Sequence, residues 1–490
     1  MKRLIPLVIS TLTCIQLYSQ QLVYYLDWND ALRYSQTYPG GTARSVAMGG
    51  AFGALGGDFY SVSQNPAGLG VYRKSELVFT PEIYYSNVKS RYFNEEDEDY
   101  KYNFNLNNFG YVGTKVFGDE GFVSASFAVG FNRINNFNSS ISIQGVNPES
   151  SLADYFAGTA NNNPLDFYTD ALFVDAGNIL YDEETGEYYV NPDMLLPGRQ
   201  VIYFEQSGRM SEWTLAAGFN YNHLLYFGAT FGIVPVSYKS NSVISEFDTD
   251  QEYLDNRYFR FSETLSVNGA GFNGKFGVIG KPMRFLRLGI AFHTPSIFVL
   301  SSTYNTNIQS AYIDGTYFPV DNDGYYVDPY LYDYRILTPA KFIGSIGIML
   351  GKVAIISTDI EYIDYSSMRL RKGTGGEDFS PENQVIKYKY TDAINIKSGA
   401  EFRFSSLYLR GGFGYYGSPY SEEDINVESY HLSYSAGIGF RTGNFSFDLG
   451  WNSLLNEKRL ELYKLSYRDY YTTNLNQLTT RFLATVGFRF

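Results

Sequence analysis

Hydrophobic residues recur at every second position over most of the chain, and the clearest case is its end. Phe482, Ala484, Val486, Phe488 and Phe490 fall on one side of an extended backbone. Arg481, Leu483, Thr485, Gly487 and Arg489 fall on the other. Strict alternation with one apolar face predicts a half-buried strand. Val123, Ala125, Phe127, Val129 and Phe131 repeat the pattern against Ser124, Ser126 and Gly130. Leu286, Leu288, Ile290 and Phe292 do so against Arg287, Gly289 and His293. Further copies start at Ile394, Tyr430 and Phe445. Such segments begin at Ser75 and number about 14, an even count as closed antiparallel bacterial barrels require.

The connections alternate too. Short ones lie at residues 118–121, 222–223, 281–282, 351, 405–406 and 442–443, and long polar links at 138–197, 307–333 and 372–384. Short turns at one end and long loops at the other are the layout of an outer-membrane barrel, with the short turns periplasmic. Within the longest link, residues 151–158 and 165–180 carry apolar residues at helical spacing, so short helices are expected at the barrel mouth. They either close the top by packing or offer an apolar landing site. Pro235 interrupts one strand; a strand boundary beyond the membrane is the expected meaning, a break in pairing the other.

Ahead of the strands, residues 44–68 read RSVAMGGAFGALGGDFYSVSQNPAG, small, glycine-rich and almost uncharged. Asn65-Pro66-Ala67-Gly68 is a turn signal. The pairs Gly49-Gly50 and Gly56-Gly57 allow close backbone approach. Residues 43–55 have the composition of a short helix, and residues 30–34 that of a helical turn. A compact plug is expected, seated by Arg44, Gly49, Gly50, Asp58, Asn65, Pro66 and Ala67. The fold class is thus an all-β transmembrane antiparallel β-barrel, residues 75–490, plugged by an N-terminal hatch, residues 20–74.

Composition agrees. With 46 Tyr, 38 Phe, 3 Trp and 47 Gly in 490 residues, the chain has the aromatic girdles and tight turns of many strands. A mean hydropathy of −0.22 is no objection, because alternating strands average out. A net charge of −13 argues against nucleic acid as a partner. Residues 1–19 read as a cleaved signal peptide, with Lys2-Arg3 before an apolar run to Leu17. The sole cysteine, Cys14, lies inside it, so no disulfide is expected in the mature chain. No later run approaches the ~20 apolar residues of a membrane helix. The expected location is the outer membrane of a Gram-negative cell.

No enzyme constellation emerges, and neither a cofactor nor a metal is expected. His223 falls in a turn, while His293 and His431 point inward without a spacing relation; luminal filling outweighs a hydrolase pair. Strand parity also places Asp359, Glu361, Lys397, Glu401, Arg403, Arg410, Arg441 and Asp448 in the lumen. Charges at membrane level must face water or one another. They form either a network that holds the plug, with Arg44 and Asp58 as partners, or a substrate path.

The plug string, with its Gly-Gly-Ala-Phe step and Asn65-Pro66-Ala67, is followed in order by three later stretches that carry the same resemblance. These are LRLGIAFHTPS from Leu286, LTPAKFIGSIGIMLGKVAIISTDIEYIDYSS from Leu337 and SGAEFRFSSLYLRGGFGYYGSPY from Ser398. Together they resemble the FadL family of outer-membrane transporters for long-chain fatty acids and other hydrophobic compounds, in the acidic, Tyr-rich style of Bacteroidetes-type members. The resemblance implies passive uptake of a hydrophobic small molecule through a plugged, 14-stranded, monomeric barrel. Ligand would leave sideways through a gap in the wall into outer-membrane lipid. The terminal Phe490 resembles the signal read by the barrel-assembly machinery. FadL-like barrels that shuttle secreted proteins to the cell surface are the alternative.

Overall fold

A strand that faces lipid on one side must have its backbone paired on both edges. The chain meets that condition by closing on itself. The computed structural model describes residues 28–192, 198–248, 258–311, 317–318, 325–373, 378–463, 465 and 472–490. The expected signal peptide, with Cys14, lies outside them. Fourteen strands form the wall. They are β1 (Glu76–Tyr92), β2 (Glu95–Val116), β3 (Phe122–Asn136), β4 (Gly198–Tyr221), β5 (Leu225–Asp248), β6 (Tyr258–Met283) and β7 (Leu286–His293). Then come β8 (Lys341–Leu350), β9 (Ala354–Asp364), β10 (Asp392–Phe404), β11 (Leu407–Tyr416), β12 (His431–Thr442), β13 (Phe445–Glu461) and β14 (Thr472–Arg489).

Each strand runs antiparallel to the next, and β14 returns to β1 with Arg489 opposite Glu76. Reciprocal backbone bonds between Ser75 and Phe490, both 3.1 Å, finish the seam. Phe482 and Val486 are 52% and 50% exposed, whereas Leu483 and Thr485 are each 2% exposed. The apolar face read from the alternation is therefore the outer face of the wall.

Short turns close one end, at residues 117–121, 222–224, 284–285, 351–353, 405–406 and 443–444. The third falls after Lys281-Pro282, because β6 runs on to Met283. At the other end the strands rise well past the ~10 residues that cross a membrane. Ser139–Asn147 prolongs β3 along β4, Ile297–Ala311 prolongs β7 along β6, and Tyr330–Leu337 prolongs β8. Two of the expected loops thus begin or end as strand.

Pro235 does not mark a strand boundary. β5 runs through it and keeps its pairing to β6, while the ladder to β4 skips from Met210–Val236 to Trp213–Ile233. A residue without an N–H cannot fill that rung.

The longest link packs into a roof. α4 (Leu152–Asn162) is set by a capping box between Ser151 and Asp154. α5 is only Asp170–Asp175, shorter than the apolar spacing over 165–180 suggests, since Gly177 turns left-handed at φ 67° and stops it. Leu152, Phe156 and Phe173 bury against Ile202, Phe259 and Phe261 of the wall. Loop packing accounts for these helices.

The first turn of α4 rests on Glu246, near the loop end of β5 and outside any stretch that lipid would surround. Its carboxylate accepts from Leu152 N (2.7 Å) and Gln200 Nε2 (2.8 Å), and burial pushes its pKa from 4.5 up to about 7. Between those values the folded protein holds a proton that the unfolded chain has released. The contribution is therefore full below about 4.5 and is lost as pH rises through about 7. Amide protection factors in α4 are expected to fall between about pH 5 and pH 8. Glu246→Gln should flatten that slope; an unchanged slope assigns the effect elsewhere.

Candidate functional site

The N-terminal segment lies inside the barrel. α1 (Asn29–Ser35) sits in the loop-side half of the lumen, where Tyr34 packs against Phe137, Tyr238 and Phe298. A strap at residues 36–39 leads down to α2 (Ala43–Ala47), α3 (Ser61–Gln64) and a 3-10 turn, Pro66–Val71. The helix expected over 43–55 ends at Ala47, because Gly49 and Gly50 take φ of 64° and 77°. Asn65 holds two parts of the hatch together. Its Oδ1 accepts from Ala67 N (3.1 Å), and its Nδ2 donates to Gly53 O (2.6 Å). The wall meets this backbone with glycines: a Cβ at Gly277, Gly228, Gly399 or Gly412 would overlap Asn65, Pro66, Met48 or Gly49.

Ion pairs finish the fit. Arg44 grips Glu401 with Nε and Nη2 at 2.9 and 3.1 Å and stands 4.0 Å from Asp58. Arg410 bridges Glu401 and Asp448, both at 2.7 Å. Asp359 accepts from Gly53 N and Gln64 Nε2 at 3.0 Å, and Lys397 stands 3.5 Å from Glu361. Two of the parity-selected charges do not join. Arg403 is exposed near a short turn and donates to Ser405 O, and Arg441 lies over the Tyr408 ring. The sequence reading missed Glu212 and Lys275, which are 2.5 Å apart, although the same parity places them inward. His293 Nε2 bonds Gln64 O at 3.0 Å, and His431 stacks on Tyr38 with Nδ1 2.9 Å from its hydroxyl. Both act as packing. Among the described residues no group of three His, Cys, Asp or Glu is placed for a metal.

Above the hatch lies a cavity of about 290 Å³, at the low end of the roughly 300–1,000 Å³ typical of small-molecule sites. Leu32, Phe137, Ile141, Phe204 and Leu460 line its apolar side, and Arg33, Arg133, Lys458 and Arg481 also reach it. Arg33 pairs with Asp30 and Arg481 with Glu82. Arg133 and Lys458 have no ion-pair partner among the described residues.

The cavity reaches a defect in the wall. Pairing of β2 with β3 runs from Val116–Ser124 to Asn108–Asn132 and stops, although both strands continue. Ile134 O accepts instead from Tyr38 N of the strap, at 3.0 Å, so β3 bends inward. Farther up, side chains rejoin the two sides: Ser142 Oγ donates to Asp97 and Lys101 Nζ to Glu205. A window remains between residues 103–107 and 133–138. Its sill is tied to the hatch, since Asn132 Nδ2 donates to Ser63 Oγ at 2.9 Å and Ser63 Oγ to Glu212 at 2.8 Å. Pro81 in β1 and Pro235 in β5 interrupt the ladders on either side at this level. Prolines one strand and two strands from the window, Pro81 in β1 and Pro235 in β5, were the available sequence signal.

Removing one partner of a buried ion pair leaves a charge uncompensated, at a cost of about 3–5 kcal/mol. Glu401→Ala, which leaves Arg44 with only Asp58 at 4.0 Å and Arg410 with only Asp448, is expected to lower unfolding stability in detergent by that amount. Arg403→Ala should stay within about 0.5 kcal/mol. Equal losses in urea unfolding would mean that Glu401 does not hold the hatch.

Neither the protein-family models nor the curated proteins contain a match to this sequence. Solved structures do match. A Pseudomonas aeruginosa FadL homologue superposes with a TM-score of 0.55 at 12% identity, covering 93% of this chain and 99% of that one. The Pseudomonas putida toluene transporter TodX gives 0.54 at 13% identity, covering 93% and 100%. The CymD monoaromatic hydrocarbon channel gives 0.50 at 13% identity, covering 92% and 98%. At such identities the likeness speaks to architecture. With its closed 14-strand wall and N-terminal hatch, the chain has the fold of the FadL-type channels.

Proposed function

We propose that the protein is a passive outer-membrane transporter for hydrophobic small molecules with an anionic head, of which long-chain fatty acids are the representative. The observation that carries this reading is the coincidence of cavity and window. Arg133 and Asn138 line both the luminal cavity and a groove on the outer wall, so the two spaces meet where β2 and β3 part. The short turns would face the periplasm, and the roof the medium. Residues 20–74 act as the hatch, with Arg44, Gly49, Gly50, Asp58, Asn65, Pro66 and Ala67 seating it. The barrel works as a monomer without cofactor or chemical step, and assembles through the terminal Phe490.

The solved neighbours named for toluene and monoaromatic hydrocarbons favour an apolar cargo. The cavity favours one with a charged end. Lys458 lines it together with apolar side chains and has no ion-pair partner among the described residues. A bound carboxylate would supply one, and a charge-assisted bond contributes about 1.5–3 kcal/mol.

Native mass spectrometry of the barrel in mild detergent tests the reading. Long-chain carboxylates are expected to co-purify, and Lys458→Gln should weaken their retention about tenfold while sparing the matching alcohol. A barrel that binds neither overturns the proposal. An empty lumen with a co-purifying protein would favour the secretion shuttle.

A further inference from the structure

At the loop end of β8 and β9, three arginines gather on the outer face of the wall. Tyr330–Leu337 pairs with Ile297–Ala311 on one side and with a short strand, Arg369–Lys372, on the other. Arg335 stands directly opposite Arg371, and Leu337 directly opposite Arg369. Tyr334 and Ile336, the alternate residues, are buried in the luminal cluster around Tyr34, so the arginines point outward. Arg335 and Arg371 are both exposed. Arg369 is half-buried and held in place, since its Nη1 donates to Ser366 O (2.7 Å) and Met368 O (2.5 Å). None of the three has an ion-pair partner among the described residues. Asp333, two residues from Arg335 on the same face, is exposed and pairs with none of them.

Like charges directly opposite each other destabilise a ladder, and in open water they would do no more than splay apart. Their height on the wall argues for a partner. From its short turn, β8 spends ten residues between Leu350 and Lys341, about what a strand needs to cross a membrane. Arg335 lies six residues beyond Lys341. Between them, Phe342 stands opposite both Phe292 of β7 and Tyr362 of β9, a row of three rings across three strands. Aromatic rows of this kind mark the border between hydrocarbon and head groups. Below the row, Ile346 and Ile360 are 42% and 52% exposed on the same outer face. Beside Arg335, Val299 is 50% exposed. The arginines thus stand at the level of lipid heads, above a column of side chains suited to acyl chains.

We propose that Arg335, Arg369 and Arg371 form a site on the outside of the barrel for a phosphorylated glycolipid of the outer leaflet, of the lipid A type. A phosphate monoester fits the charge. It carries about −1.5 to −2 near pH 7 and three acceptor oxygens, where the diester of an ordinary phospholipid carries one charge. Guanidinium forks match such oxygens two at a time. The phosphate lies between Arg335 and Arg371, with Arg369 at its inner edge, and the acyl chains run down over Phe342, Ile346 and Ile360. Bound there, it removes the repulsion between the two strands and ties them together from outside. The site needs the roof to face the medium, as in the transporter reading above; the cargo of the lumen plays no part in it.

Native mass spectrometry of the delipidated full-length barrel in mild detergent tests the site. The protein is titrated with bis-phosphorylated lipid A, with the same lipid after phosphatase treatment, and with phosphatidylglycerol. The first lipid A should bind about tenfold more tightly than either of the others, the scale of one charge-assisted pair. Arg335→Gln/Arg371→Gln should erase that preference. Lys89→Gln/Arg91→Gln removes two exposed cations of β1 that already pair with Glu98 and Glu96, and should leave it unchanged. All four side chains are exposed, so both variants should fold; the comparison of three lipids on the unaltered protein needs neither. A large excess of inorganic phosphate should displace little of the lipid A. Equal binding of the three lipids, equal loss in both variants, or full displacement by phosphate overturns the glycolipid site. Retention of long-chain carboxylates in the same preparations separates the two readings. If it persists without a lipid A preference, the outer site fails alone; if the preference holds without it, the transporter reading fails alone.

Discussion

Backbone amides inside a membrane have no water to turn to, and this constraint organises the whole molecule. It demands a closed wall, which the Ser75–Phe490 bonds and the β1–β14 ladder complete. It also confines proline. Pro81 and Pro235 occur at one level of the wall, where the ladders already skip and a missing donor costs nothing further. The long interruption between β2 and β3 is made good on the inside by the strap and higher up by side chains.

The hatch obeys a different rule. Its backbone touches the wall so closely that the wall carries glycine at the contact points; its Arg44 pairs with Glu401 of β10, which Arg410 of β11 also holds, and Asp359 of β9 accepts from its Gly53 N–H. Buried ion pairs of this kind add little net stability over an apolar contact, because both charges are first stripped of water. What they supply is register. Arg44 can satisfy Glu401 only when α2 lies at one depth and one rotation in the lumen.

Much of this could be read from the residues, and the reasons for the misses are physical. Alternation specifies a strand locally, so the wall strands and most turns were legible, with Lys281-Pro282 early by a few residues. Helix ends were less so: the apolar composition over 43–55 conceals a stop at Gly49-Gly50 that depends on their positive φ. Parity fixes the side to which a residue points but not its height, which is why Arg403 and Arg441 were grouped with a network they do not join. The window was illegible, since a missing pairing is a relation between two strands, and neither sequence looks unusual alone. Only the prolines hint at it.

The strap and the wall compete for one backbone group. Ile134 has one carbonyl oxygen, and two donors lie on opposite sides of it: the amide of Tyr38 within the barrel and the edge of β2 in the wall. The inner donor holds it. Both strands are long enough to have zipped together past Asn108 and Asn132. The strap thus holds β3 at the edge of the opening, and the wall strands on both sides have the length to pair past it.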